Sequence, residues 1–170
     1  MTAKISLDAI KALRNKTGAA VGDVRKALEA AGGDEHKAQE WLKQKGLESA
    51  QKREGRATTA GRVDMYVHHD GRVGALVEID CETDFVARTP DFQQFCRDVA
   101  MQVASQQPVC IKPEELPAGS AKEQALLEQP FIKDSKHTIG SLLTTLISKT
   151  GENVAIRRFV RFGVGEESGK

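Results

Sequence analysis

Aromatic side chains are scarce in this 170-residue chain, at 5% of all positions, so each one present asks for a reason. Cysteine is scarcer still, with only Cys81, Cys96 and Cys110. An odd, sparse set argues against a disulfide framework and points to a reducing compartment, so a cytoplasmic location is expected. No CxxC pair occurs, and a zinc site is therefore not expected. There is no apolar run of the roughly 18 residues that a membrane span needs. The first residues, MTAKISLDAIKALRNKTG, alternate apolar and charged and lack the apolar core of a secretory signal. Neither GxxxxGK[ST] nor a GxGxxG after a strand is found, which excludes the usual phosphate-cradling loops, and no cofactor is expected. His68 and His69 are adjacent, so on a strand they face opposite sides and read as solvated hairpin residues rather than metal ligands. A hydrolase built on Cys81 or Cys110 with a histidine has no local support.

What is present is a chain with 39% hydrophobic and 29% charged residues, the balance of a soluble globular protein. Net charge is +1 but uneven. Residues 1–56 carry 12 Lys/Arg against 8 Asp/Glu, and the remainder 13 against 16. The basic bias of the first part is weak for nucleic acid and lacks interleaved aromatics, so no direct nucleic-acid contact is expected.

Residues 5–46 read as three short helices. Ser6 caps the first, with Leu7, Ile10 and Leu13 on one face. Thr17-Gly18-Ala19 breaks it, Val21, Val24 and Leu28 line the second, and Gly32-Gly33 ends that one. Asp34 caps a third helix burying Ala38, Trp41 and Leu42, with Gly46 as its stop. Residues 47–56 are polar and read as a helical or flexible linker. A hairpin follows. Keeping one face apolar favours a three-residue loop, His69-Asp70-Gly71, pairing Val67 with Val73, Met65 with Ala75 and Val63 with Val77, with Gly71 left-handed. A two-residue loop would pair Val67 with Gly74 and Val63 with Glu78.

Thr89, Pro90 and Asp91 form a strong helix start. Phe92, Phe95, Cys96, Val99, Ala100 and Val103 then make an apolar stripe that predicts packing on the sheet. Residues 105–118 read as loop and Ala121–Glu128 as a short helix. Thr138 caps a helix with Ile139, Leu142, Leu143, Leu146 and Ile147 inward. Val154, Ile156, Val160, Phe162 and Val164 alternate as a long strand, interrupted on that face by Arg158. Helices and strands are segregated, so the class is α+β with an antiparallel sheet. Residues 1–46 form a helical head, 57–166 an α+β core and 167–170 a tail.

One stretch resists this assignment of faces. CETDFVAR, residues 81–88, places Phe85 beside Asp84 at a turn, where a phenyl ring is hard to bury. Asp80, Glu82 and Asp84 are either the solvated side of a strand end or an acidic rim facing a basic or metal-bearing partner.

Several segments together resemble the elongation factor Ts family. They are LRNKTGAAVGDVRKAL, GGDEHKAQEWLKQKG, IDCETDFVAR, EQPFIKDSKHTIGSLL and AIRRFVRFGVGE, and the likeness runs over residues 5–166. The resemblance implies a ubiquitin-associated-like three-helix head on an α+β core. It also implies a non-enzymatic guanine-nucleotide exchange factor that binds elongation factor Tu, GDP-bound and nucleotide-free, during translation elongation. Asp84 and Phe85 would then wedge near the partner's magnesium and phosphate site. Leu13, Arg14 and Val21 would dock the head, and Ile132 would add a core contact beside Lys133 and Asp134. Where many relatives carry two methionines, this chain has Val21 and Gly22. Only one core unit is present, which implies a homodimer. Two other readings compete: a ubiquitin-associated-type binding module on a structural core, and a Phe85 that folds back toward Phe92.

Overall fold

The computed structural model describes residues 5–166. The head is three helices, α1 (Leu7–Thr17), α2 (Val21–Ala30) and α3 (Glu35–Arg53). Each start has a local cause. The Ser6 hydroxyl accepts from Ala9 N–H at 3.1 Å, and the Asp34 carboxylate accepts from Lys37 N–H at 3.0 Å. Gly18 ends α1 in the left-handed conformation (φ +66°) that a residue without Cβ adopts freely. Leu13, Val24, Ala27, Leu28 and Ala38 make the head's own small core.

Gly46 does not stop α3. The helix runs on to Arg53, because Ala50 beyond it packs into the main core. Gly46 itself faces a later helix, with Thr144 and Ser148 opposite. The segment expected as a linker therefore begins as helix, and Arg53 Nε donates to Gly151 O at 2.8 Å across the head–core boundary.

The core is a three-stranded antiparallel sheet, β1 (Ala60–Val67), β2 (Val73–Cys81) and β5 (Val154–Gly163), in the order β1-β2-β5. A short helix α4 (Asp84–Ala87) follows β2, and α5 (Pro90–Gln106) then crosses the inner face. Thr89 caps α5 and Pro90 opens it. Phe92, Cys96, Val99, Ala100 and Val103 are fully buried against Val77, Ile79 and Cys81. Two 3-10 turns, Lys122–Gln124 and Leu126–Glu128, stand where one short helix was expected. They lead to a small hairpin, β3 (Pro130–Phe131) with β4 (Asp134–Thr138), and then to α6 (Ile139–Thr150) behind a Thr138/Ser141 capping box. The segregated helices and antiparallel strands make the protein α+β.

The hairpin register corrects the expectation. Val67 pairs with Gly74, Met65 with Leu76 and Val63 with Glu78. His68 N–H donates to Val73 O at 2.8 Å, and the Asp70 carboxylate accepts from Arg72 N–H at 3.0 Å, so residues 69–72 form the loop. Gly71 is left-handed (φ +69°), as expected. A one-residue slip moves every side chain to the other face. Arg62, Asp64 and Tyr66 therefore line the inner side of β1. Their polar ends are satisfied there: Arg62 bonds Asp64 at 2.9 Å, and the Tyr66 hydroxyl meets His68 Nδ1, also at 2.9 Å. Val63, Met65 and Val67 point away from α5 and are exposed.

β5 contains a second surprise. A bulge opposite Glu78/Ile79 inserts Arg157, so the strand changes face midway. Val154 and Ile156 point inward and are buried, whereas Val160, Phe162 and Val164 point outward and are exposed. The five residues do not share one face, and Arg158 does not interrupt a single stripe.

Candidate functional site: the acid–aromatic corner and the bare sheet face

The corner between β2 and α5 is built by alternating what one short turn buries. Val86 and Ala87 are buried in the main core and pin the turn down. Asp84 and Phe85, one step earlier, point out. The Phe85 ring is 87% exposed while Phe92, seven residues on, is 0% exposed. The ring does not fold back onto the helix stripe. Thr89 joins the corner to α5: its hydroxyl donates to Val86 O at 2.8 Å and accepts from Phe92 N–H at 3.3 Å. Asp84 has only a loose partner, Arg88 at 3.8 Å, with both side chains largely in water. The phenyl ring and the carboxylate are thus presented side by side on an anchored base.

The neighbouring acids do not join Asp84 in one cluster. Glu82 turns back to accept from Asn153 N–H at 2.6 Å. Asp80 lies on the outer side of β2, where burial and then the nearby Glu78 raise its carboxyl above the ordinary value. No group of three His, Cys, Asp or Glu suited to a metal ion occurs among the described residues. The cysteines are poor nucleophiles. Burial pushes the Cys81 thiol up to about 11 and Cys96 up to about 12, and Cys110 is raised too. All three therefore stay protonated at neutral pH, which counts against the hydrolase reading.

The other expected contact residues fall in different environments. Arg14 is exposed and Val21 is 50% exposed at the start of α2. A side chain at Gly22 would meet nothing within 4 Å, so the surface there is open. Leu13 corrects the expectation. It is 0% exposed within the head core, so its side chain has no surface to offer a partner. Ile132 is partly exposed at the β3–β4 turn, and its N–H donates to the buried Gln102 at 3.0 Å. Lys133 is tied to Asp98 at 2.6 Å, while Asp134 accepts from Lys136 N–H at 3.2 Å.

The head turn and the corner are linked through Lys149. The far end of its side chain lies over Gly18, and its ammonium is 3.6 Å from the Asp91 carboxylate in the first turn of α5. One side chain of α6 thus touches both the α1–α2 turn and the first turn of the helix that begins right after the corner.

A surface that the sequence reading missed is the outer face of the sheet. Val63, Met65, Val67, Leu76, Val160 and Phe162 are all exposed on it, and a groove of about 420 Å³ runs between Met65, Val67 and Phe162. One ion pair, Arg158 with Glu78, crosses it. The alternation in β1 and β5 is the signal, and on spacing alone it reads equally well as a core-facing row.

Fold and surface together define a class first: an α+β protein with a helical head, whose distinctive exposed features are an acid–aromatic corner and an apolar sheet face. Large exposed apolar groups of this kind are how proteins contact one another. Comparison with known proteins then gives the particular family. The family described as Elongation factor TS matches residues 6–124. A protein named elongation factor Ts from Solidesulfovibrio magneticus is 45% identical, with 96% of this chain and 98% of that protein covered. Those of Rubrobacter xylanophilus and Carboxydothermus hydrogenoformans are each 44% identical, covering 92% and 95% of this chain and 97% and 90% of their own lengths. The chain belongs to the elongation factor Ts family, and its role is that of a translation elongation factor.

Proposed function

We propose that the chain is a guanine-nucleotide exchange factor that binds elongation factor Tu and promotes GDP release, with Asp84 and Phe85 wedging near the partner's magnesium and phosphate site. The observation that carries this reading is the ring of Phe85, free on its outer side yet seated on a turn whose next two residues are buried. Such a ring has no pocket in its own subunit, and a partner's pocket gives it one. Burying it is worth about 1.5–3 kcal/mol. A thousandfold acceleration needs about 4 kcal/mol of differential stabilisation. The ring alone falls short, so the Asp84 carboxylate, placed to disturb the partner's ion and phosphate groups, supplies part of the remainder. The factor makes and breaks no covalent bond and uses no cofactor. It acts by binding the nucleotide-free state more tightly than the GDP-bound one, and it weakens GDP by the same factor that GDP weakens it.

Arg14 and Val21 dock the head on the same partner, and Ile132 adds a contact from the core, with Lys133 and Asp134 beside it. The Lys149 bridge supports a single continuous docking side, because it ties the head turn to the helix that follows the corner. The chain works in the cytoplasm without direct nucleic-acid contact. No described helix is long and apolar enough to cross a membrane.

We further propose that a second copy covers the outer sheet face, giving a homodimer. A sheet with one apolar face packed and an equally apolar face bare is incomplete, and two such faces are self-complementary about a two-fold axis. The partner groups on the face, Arg158 and Glu78, are of opposite sign and can exchange across that axis.

Release of a fluorescent GDP from elongation factor Tu, followed with and without this protein, tests the exchange reading. Catalytic amounts of the factor should speed release by orders of magnitude. An unchanged rate at excess factor would contradict it.

A further inference from the structure

The four-residue α4 is too short to hold its own shape, since a single helical turn fixes several dihedrals for one hydrogen bond. Its cap is weak as well: the Thr83 hydroxyl is 3.5 Å from Val86 N–H, at the limit of a hydrogen bond. Something else must fix the first residue of the corner. The turn between α6 and β5 does so. The Glu152 carboxylate accepts from Thr83 N–H at 3.0 Å through one oxygen and from the Thr83 hydroxyl at 2.6 Å through the other. These bonds to a charged acceptor are shorter and stronger than the neutral cap.

The turn is itself fastened from three sides. Gly151, left-handed at φ +73°, accepts from Arg53 at the end of α3. Asn153 N–H donates to Glu82, and its side-chain amide donates to Arg56 O at 2.9 Å. Residues 151–153 thus hold the end of the head helix and the start of the corner at one point.

We propose that Glu152 is a positioning residue for nucleotide exchange: by gripping Thr83 with both carboxylate oxygens it sets the aim of Asp84 and Phe85. This rests on the wedge reading of those two residues. Glu152 touches neither the partner nor nucleotide; it acts through Thr83.

The test uses the full chain with Glu152→Ala, Glu152→Gln and Phe85→Ala, alone and combined, each first checked for an unchanged melting temperature. Amide hydrogen exchange over residues 81–88 of the free protein reads the grip directly. In Glu152→Ala the Thr83 amide should lose protection. The maximal rate of GDP release should fall roughly ten- to hundredfold, as for the loss of hydrogen bonds to a charged acceptor. The factor concentration for half-maximal effect should hardly move. Glu152→Gln keeps an acceptor for Thr83 N–H and should recover part of the rate. With Phe85→Ala already present, Glu152→Ala should cost clearly less than it does alone, because only the aim of Asp84 is left to lose. Full-rate release by Phe85→Ala would sink the wedge reading. Unchanged Thr83 protection in Glu152→Ala, or losses that simply add to those of Phe85→Ala, would sink the role of Glu152 while leaving the wedge intact.

Discussion

The two faces of the three-stranded sheet carry similar side chains and have opposite fates. On the inner face, Val77, Ile79, Cys81, Val154 and Ile156 are buried under α5. On the outer face, Val63, Met65, Leu76, Val160 and Phe162 stand in the open. Hydrophobicity alone does not separate them. What separates them is register: one residue of slip in the hairpin and one inserted residue in β5 decide which row meets the helix. The inner face belongs to folding. The outer face, like Phe85, is apolar surface without a partner in its own chain.

The largest effects should come from breaking the inner face. Ile79→Ala leaves a cavity among α5, β1 and β5 and should lower stability by about 2–5 kcal/mol. A denaturant titration measures this, and a loss under about 1 kcal/mol would mean the inner face is not the principal core. The matching change outside, Phe162→Asp, should leave the fold of each subunit intact and convert the protein from dimer to monomer. Light scattering at working concentration reads the mass directly. A wild-type protein that is already monomeric would remove the dimer, and a Phe162→Asp that unfolds would show that the outer face serves the subunit itself.

The smallest effect concerns Asp80 on the outer side of β2. Its folded carboxyl is raised above the ordinary value by burial and by Glu78. An acid raised in this way is favoured when protonated, so its ionised form weakens the fold. The penalty is absent below the unfolded value and complete above the raised folded one. Asp80→Asn should therefore raise the melting temperature slightly at neutral pH and leave it unchanged near pH 3, a difference that thermal melts at two pH values resolve. A dimer that covers the face should enlarge the gain, because it deepens the burial of the charge.

Local signals were legible in the sequence because they depend on a few adjacent residues. Ser6, Asp34, Thr89 and Thr138 cap the helices expected of them, and the stripe from Phe92 to Val103 packs as its spacing requires. Long-range choices were not. Either hairpin register puts Val63, Met65 and Val67 on one face, so the sequence of β1 cannot say which side α5 will take. The β5 bulge is hidden because the apolar spacing stays even across Arg157 and Arg158. α3 passes Gly46 because Ala50 packs against the main core, a contact made with distant residues. The strand Asp134–Thr138 is polar throughout and carries no alternation to read. At the candidate site, the oddity of Phe85 beside Asp84 was visible in eight residues. The burial of Leu13 was legible from its place on the apolar face of the first helix, and only the motif it shares with the exposed Arg14 set it among the docking residues.

The most direct measurement compares Phe85→Ala with the wild-type protein in two readings of the same sample. The melting temperature should be unchanged, and stimulation of GDP release from elongation factor Tu should fall about ten- to hundredfold, the worth of one buried ring. Early melting, or release at the wild-type rate, would contradict the claim that this ring is held ready for another protein.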